Sequence, residues 1–537
     1  MKEKQKIKVD QAKNKKIKPL VFWPPFLILV SAVVFSLVNY DAFSVAMNNA
    51  NDWLLGNFSG LFSIGALLML ILSIFIIFSP FGRVKIGGSQ AKPMLSKFEW
   101  FSITICTTIA IGILFWAAAE PMYHMMEPPT SLGIAPNSAQ SANFAMSTMF
   151  LHWTFTPYAI YSIPSLMFAF AYYNMKEDFS LSSLLTPLFG NRLKGKTSSI
   201  IDAVALYALV GGMAASLGTG ILTVSGGINN VFAIPSNHLL WAVVALAIIG
   251  TFIISASTGL MKGIRILSSL NVKVFLVLIA FTFIVGPTGF FINFSIESFG
   301  HYLRNFFQSS LFTGAAAGDD WSKWWTTFYW ANWLAWAPVT ALFLGRIAYG
   351  YTVRMFMFVN FVLPSLFGSL WMSIFSGTAI HQQLNGLNLA GALGGTGPEA
   401  VSFAMFSNLP LSGIVIPFYI FIAFISFVTA ADSNTSAMAG ISSTGISPDS
   451  PAPPLHIKLI WGLTIGVVAW GMITFAGIDG IKMLSNLGGF PALFLISLVG
   501  ISLTLVAFNP KKYDSFKSDY DQAGRPLDKS EIIEKNN

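Results

Sequence analysis

The stretch "WWTTFYWANWLAWAP", residues 324 to 338, carries five tryptophans inside an otherwise apolar run. A buried indole N–H needs a hydrogen-bond partner, so tryptophan is a demanding way to fill space. Trp330, Trp333 and Trp336 are spaced three apart, which puts successive rings about 60° from each other on one helical face. A second stretch, "LHWTFTPYAIY" (151–161), offers Trp153, Tyr158 and Tyr161 in a similar way, with Pro157 expected to interrupt the backbone ladder. A ring face attracts a cation by roughly 0.5–2 kcal/mol when water is excluded. A quaternary ammonium has no N–H to donate, so rings can replace its hydration without a carboxylate. Acids are scarce within the apolar runs, and Glu120, Asp202 and Asp432 stand at or near the ends. Interfacial belts or packing account for a single Trp. They account less well for the set, because Trp153, Tyr161, Trp333 and Trp336 fall inside runs.

The surrounding composition says what kind of helix this is. The chain has 537 residues, 54% hydrophobic and 10% charged, with a mean hydropathy of +0.66. Soluble domains carry roughly 25% charged residues. The sequence therefore reads as an all-α integral membrane protein. Runs of about 20 apolar residues, enough to cross a ~30 Å hydrocarbon layer, fall near 20–39, 60–80, 97–119, 143–173, 198–222, 238–260, 270–294, 324–346, 355–377, 411–437, 455–477 and 484–508. This predicts twelve transmembrane helices. Of 31 Lys and Arg, only Arg304, Lys323 and Lys482 fall in loops on one side. By the positive-inside rule both tails are then cytoplasmic. The net charge of +8 is a topology signal and no sign of nucleic acid.

The expected organisation is a basic tail at 1–19, a core of membrane spans at 20–508 and a charged tail at 509–537, with a short helix at "LDKSEIIEK". Basic segments beside anionic lipid are attracted in a salt-dependent way, although plain solvated tails are the simpler reading. "SIESFGHYLRNFFQSSLF" has apolar residues near helical spacing and suits an interfacial helix. "RIAYGYTVRMF" reads as a turn and short helix, with Arg346 and Arg354 anchored at the headgroups. "GNRLKGKT" (190–197) satisfies the phosphate-loop pattern, but membrane helices flank it where a strand and an α/β domain are required. The single cysteine, Cys106, excludes a disulfide framework. No H-E-x-x-H motif or acid cluster suggests an embedded enzyme, and no repeated polar filter suggests a channel. His152 beside Trp153 reads as a packing residue. Asp432 reads as a helix-end hydrogen-bond partner or part of a proton path.

"CTTIAIGILFWAAAEP" (106–121) is rich in small residues, which permit close approach of a helix or ligand to backbone. Together "ILFWAAAEPMYH", "HWTFTPYAIY", "FYWANWLAWAP", "GRIAYGYTVRMF" and "FVTAADSNTSAM" (427–438) stand in the order and spacing of the betaine/choline/carnitine transporter family, which the chain resembles from about residue 20 to 508. The resemblance implies two five-helix inverted repeats of the sodium/amino-acid symporter type, about 97–294 and 324–508, and a homotrimer in a lipid bilayer. It implies a substrate box of Trp153, Tyr158, Tyr161, Trp333 and Trp336, with Phe328 near the path. A substrate carboxylate would meet backbone at Ala110, Ile111 and Gly112.

Two departures alter that inheritance. Many members have Trp where this chain has Tyr158 and Asn332, and the glycine-rich motif of betaine symporters is thinned here to Thr108, Ala110 and Gly112. In sodium-coupled members one ion lies between carbonyls matching Cys106 and Ile109 and a hydroxyl pair, of which this chain keeps Thr429 and has Ala430. Threonines near the other ion are matched by Leu209 and Met213, which supply no oxygen. Ion-independent exchangers fill the first site with an Arg, matched here by Asn271. The expectation is a secondary transporter importing glycine betaine, choline or carnitine by alternating access, coupled to Na+ or H+ and without a cofactor. An amino-acid or other small-osmolyte carrier of the same fold is the alternative.

Overall fold

A computed structural model describes residues 15–108, 110–257, 260–395, 397–447, 450 and 452–527. Ile109 and the "LDKSEIIEK" segment beyond residue 527 lie outside the described residues. The longer helices are α1 (Pro19–Val38), α2 (Tyr40–Phe78), α3 (Lys97–Thr108), α4 (Ala110–Met126), α5 (Ala139–Trp153), α6 (Phe155–Tyr173), α7 (Lys196–Phe232), α8 (His238–Ser257), α9 (Leu260–Val285), α10 (Thr288–Ser310), α11 (Phe328–Ile347), α12 (Leu363–Leu384), α13 (Ser412–Ile441) and α14 (Leu455–Phe508). Eight of the described helices are long and apolar enough to cross a membrane, or nine if the pair α3/α4, bent by 53°, counts as one. Leu37, Val38, Leu239, Ile254 and Ile284 are exposed on the outer helices α1, α8 and α9, as lipid-facing residues are.

Local chemistry explains where these helices begin and break. Asn39 accepts from Ala42 N–H at the start of α2, and Ser138 and Ser141 form a reciprocal capping box at the start of α5. The run 143–173 is two helices. The break is at Thr154 (φ −120°, ψ −115°) and not at Pro157, which falls in the first turn of α6, where a missing N–H costs nothing. The two runs 455–477 and 484–508 lie on either side of a non-helical break at Ala476 and Gly477, whose φ of 55° glycine tolerates, so α14 is two helices meeting at a kink. The run expected at 60–80 begins earlier, in the 39-residue α2. The segment proposed as interfacial is helical and begins afresh as α10 after Pro287. The phosphate-loop look-alike is a short 3-10 turn followed by α7.

α11 lies along α6, with α14 and α7 packed behind. Small residues allow this approach. A Cβ on Gly345 would stand 2.6 Å from the Ser165 carbonyl oxygen, and one on Gly212 would stand 2.9 Å from the Trp336 ring. The expected anchor Arg346 is buried and faces Phe343 at 5.8 Å, because α11 carries it inward. Arg354 donates to the Ile77 and Ser79 carbonyls at the end of α2.

Both tails meet the same end of the bundle. Lys18 N–H donates to the Ser442 carbonyl, while Ser89 N–H donates to Asp519 and Ser515 N–H to the Asn174 carbonyl. At the opposite end Asp319 accepts from Ser131 N–H at 2.9 Å and from Trp321 N–H at 3.0 Å, which ties the 127–138 loop to the segment before α11. Burial opposes the charge on Asp319, but these N–H donors outweigh it and hold the carboxyl below its ordinary pKa.

Candidate substrate site

Trp153, at the last residue of α5, Tyr161 on α6, and Trp333 and Trp336 on α11 converge on one cavity. The Trp153 and Trp333 rings meet edge to face at 5.5 Å, and Tyr161 meets Trp333 at 5.1 Å. Cys106, Thr107, Thr108, Gly112, Ser216, Asn332 and Ala430 complete the walls, and among the described residues no carboxylate lines them. Each indole N–H has a partner: Trp153 donates to Glu120, Trp333 to the His152 carbonyl and Trp336 to Ser216. The rings enclose only about 40 Å³, far below the roughly 300–1,000 Å³ of ordinary small-molecule sites. A Cβ on Gly112 would stand 2.6 Å from the Trp153 ring, so glycine is required for that ring to seat.

The other expected box residues stand further back. Tyr158 lies behind Trp333 at 6.1 Å between ring centroids, fully buried, and its hydroxyl finds no hydrogen-bond partner among the described residues. Phe328 packs on Trp116 and Tyr329, with the Lys482 ammonium 5.6 Å from its ring. Trp330 leaves the face shared by Trp333 and Trp336 and meets His152 edge to face at 5.8 Å. The backbone of Ala110 to Gly112 is the first turn of α4. Ser216 was missed in the sequence; its position one turn after the Gly211–Gly212 pair is the signal that places it near Trp336.

Behind Trp153 lies a group that sequence spacing did not assemble. Glu120 Oε1 is 2.7 Å from His152 Nδ1 and 3.1 Å from His124 Nε2, and Oε2 accepts from Trp153 Nε1 at 2.6 Å and from the Tyr329 hydroxyl. His152 is thus no isolated packing residue. The imidazole nitrogens already stand at hydrogen-bonding distance from the carboxylate, so we assign the group to hydrogen bonding.

Residues 20–512 match the sequence family described as BCCT, betaine/carnitine/choline family transporter. The chain belongs to this family. It is 32% identical over 448 residues to an ectoine/hydroxyectoine transporter of Virgibacillus pantothenticus, covering 82% of this chain and 88% of that one. It is 30% identical over 486 residues to a glycine betaine transporter of Bacillus subtilis, covering 90% and 93%. To a high-affinity choline transport protein of Escherichia coli K12 it is 28% identical over 514 residues, covering 95% and 75%. The protein is a multi-pass membrane transporter of the BCCT family and not an enzyme.

Of the residues expected near an ion in this BCCT chain, Cys106 and Thr429 lie among the described residues. Cys106 and Ala430 share the wall of the aromatic cavity. Thr429 donates its hydroxyl to the Ile425 carbonyl, and Asn271 Nδ2 lies 3.0 Å from Ser426 Oγ and 3.6 Å from Cys106 Sγ. Leu209 and Met213 are buried apolar packing. Asp432 is ion-paired with Lys458 at 2.7 Å and accepts from Ser255 at 2.9 Å.

Proposed function

We propose that this BCCT transporter imports a quaternary-ammonium compound, glycine betaine, choline or carnitine, by alternating access around the aromatic cavity. The observation that carries this reading is the convergence of Trp153, Tyr161, Trp333 and Trp336 without a lining carboxylate. Such a wall suits a cation that has no hydrogen to donate, at roughly 0.5–2 kcal/mol per ring. The proposal includes twelve spans, two inverted repeats at about 97–294 and 324–508, cytoplasmic tails at 1–19 and 509–537, and a homotrimer. The carboxylate of a betaine would meet backbone at the start of α4, Ala110 to Gly112, since an interrupted helix can present N–H groups to an anion. Coupling is to H+ or to a single Na+ near Cys106, Ile109 and Thr429.

A second reading, a carrier of another small osmolyte such as ectoine, is favoured by Asn332 and Ser216 in the wall and by the ectoine transporter among the relatives. An amidinium has N–H groups that such side chains can receive. Uptake into proteoliposomes separates the two. Labelled glycine betaine or choline should accumulate under a proton or sodium gradient, and unlabelled ectoine should compete weakly. Accumulation of ectoine alone would reverse the assignment. Trp333→Ala and Trp336→Ala should each abolish saturable uptake while the protein still reaches the membrane, and normal uptake by both would refute the box.

A further inference from the structure

We propose that Glu120 and His152 form a proton-carrying site coupled to the substrate box through the Trp153 indole. This rests on the transport reading above and names what drives it.

Glu120, His124 and His152 are fully buried. A carboxylate at such depth persists only when donors satisfy it, and here they come from α4, α5 and α11. The decisive geometry is at the far side of His152, where Nε2 lies 3.1 Å from Thr326 Oγ1. A hydroxyl donates or accepts. With neutral His152, Nδ1–H donates to Glu120 and Nε2 accepts from Thr326. With a proton added to the Nε2 lone pair, both ring nitrogens donate and Thr326 accepts. Loading and releasing the proton therefore breaks no hydrogen bond at His152 and changes no covalent bond except N–H. His124 cannot do this. Its Nε2 faces Glu120 and its buried Nδ1 has no partner among the described residues, in surroundings that include Trp321 and Trp325. A second N–H there would stand unsatisfied.

The neighbouring charges are few. α4 contributes Tyr123 and Glu127 besides His124, α11 contributes Tyr329, and α14 contributes Asp479 and Lys482, whose ammonium sits 3.9 Å from the Trp325 ring and acts through space on Glu120. Elsewhere Glu297 of α10 is engaged by Asn143, Lys323 pairs with Asp320, and His381 of α12 meets the Phe290 ring at a tilt of 59°. A proton on His152 makes the Glu120–His152 pair neutral.

The coupling follows from the shared carboxylate. Trp153 Nε1 donates to Glu120 Oε2, and an imidazolium on the other oxygen draws carboxylate charge away from the oxygen that Trp153 uses. Proton loading on His152 therefore loosens the hold on Trp153, and the ring must yield for the contracted cavity to admit an ammonium. Substrate binding must then raise proton affinity by the same factor. One proton travels with each substrate, taken up at His152 on one side of the membrane and released on the other.

The test uses imidazole-carbon NMR of the full-length protein in nanodiscs, where six histidines give resolvable signals. The His152 signal is assigned by its loss in His152→Asn, in which the Asn amide can still donate to Glu120. It should change with pH, and glycine betaine should move that change toward higher pH. In parallel, glycine betaine affinity measured by tryptophan fluorescence should weaken about tenfold per pH unit above the midpoint of that change in the wild type and show no such slope in His152→Asn. If glycine betaine binds in both proteins with the same pH slope, the proton site is overturned and the substrate reading stands. If it binds to neither, the substrate reading fails, and the substrate-free titration still decides the site: a His152 signal with no titration overturns it. His381→Asn, remote from the cavity, should keep the wild-type slope.

Discussion

Two buried carboxylates, Glu120 and Asp432, solve the same desolvation problem in different ways. Asp432 is held by a buried ammonium, Lys458, with Ser255 on its other oxygen. Glu120 is held by two imidazoles, an indole and a phenol. A fixed opposite charge makes a strut, because losing either partner strands the other. A carboxylate held by groups that can gain or lose a proton can change its net charge while keeping its bonds. The first arrangement fixes α13 against α14, and the second sits against a wall of the substrate cavity.

The comparison can be broken most directly at the strut. Lys458→Met should destabilise the purified protein by about 3–5 kcal/mol, because Asp432 is left buried and unpaired, and Lys458→Met/Asp432→Leu should recover most of that loss. Thermal unfolding in one detergent checks this, and a double variant no better than the single would mean that the pair is no strut. At the other carboxylate, Glu120→Gln places an amide among donors, so one N–H2 must face Trp153, Tyr329 or an imidazole. A loss of about 1–3 kcal/mol from the unsatisfied group is expected, with uptake impaired even where the protein is membrane-inserted.

A milder effect concerns the loop contact at Asp319. Its folded pKa is depressed, so its stabilisation is fully present above the unfolded value of about 3.9 and is lost as pH falls through the folded value. Asp319→Asn should therefore lower stability by a constant amount near neutrality and flatten the acid limb of the profile below about pH 4, where the wild type loses the same contribution. An unchanged acid limb would show that the contact carries no linkage. Thr429→Ala should leave the proton response of transport intact and remove any sodium response. Unchanged sodium dependence would strike Thr429 from the ion site. The smallest effect is Tyr158→Phe. Removal of a buried hydroxyl without a partner should raise stability by up to about 1 kcal/mol, and affinity should stay within about twofold, because the ring stands behind Trp333. A large affinity loss would return Tyr158 to the cavity wall.

The aromatic wall was legible because helical spacing fixes faces: Trp333 and Trp336 needed only a count of residues, and Trp153 with Tyr161 needed only the same motif in a second span. The Glu120 group was not, because its partners at 124, 152 and 329 are brought together by packing of three helices. The Glu-x-x-x-His spacing of 120 and 124 was visible, but nothing in it announced His152. Pro157 drew the predicted break away from Thr154, since a proline in a first helical turn looks the same in sequence as one that kinks. Arg346 looked like an anchor because span ends usually are wet, whereas this helix end is covered by packing and Arg346 is buried against Phe343.

The break at Thr154 has a pharmacological consequence. Trp153 closes one helix and Tyr161 belongs to the next, so two walls of the cage ride on separate bodies. A displacement of α5 against α6 would reset the diameter of the cage, because Trp153 and Tyr161 both bear on Trp333. Blockers of this carrier should then sort by the girth of their ammonium head more than by its charge: a trimethyl head passes through the cycle, and a bulkier trialkyl head wedges the jaws in one access state.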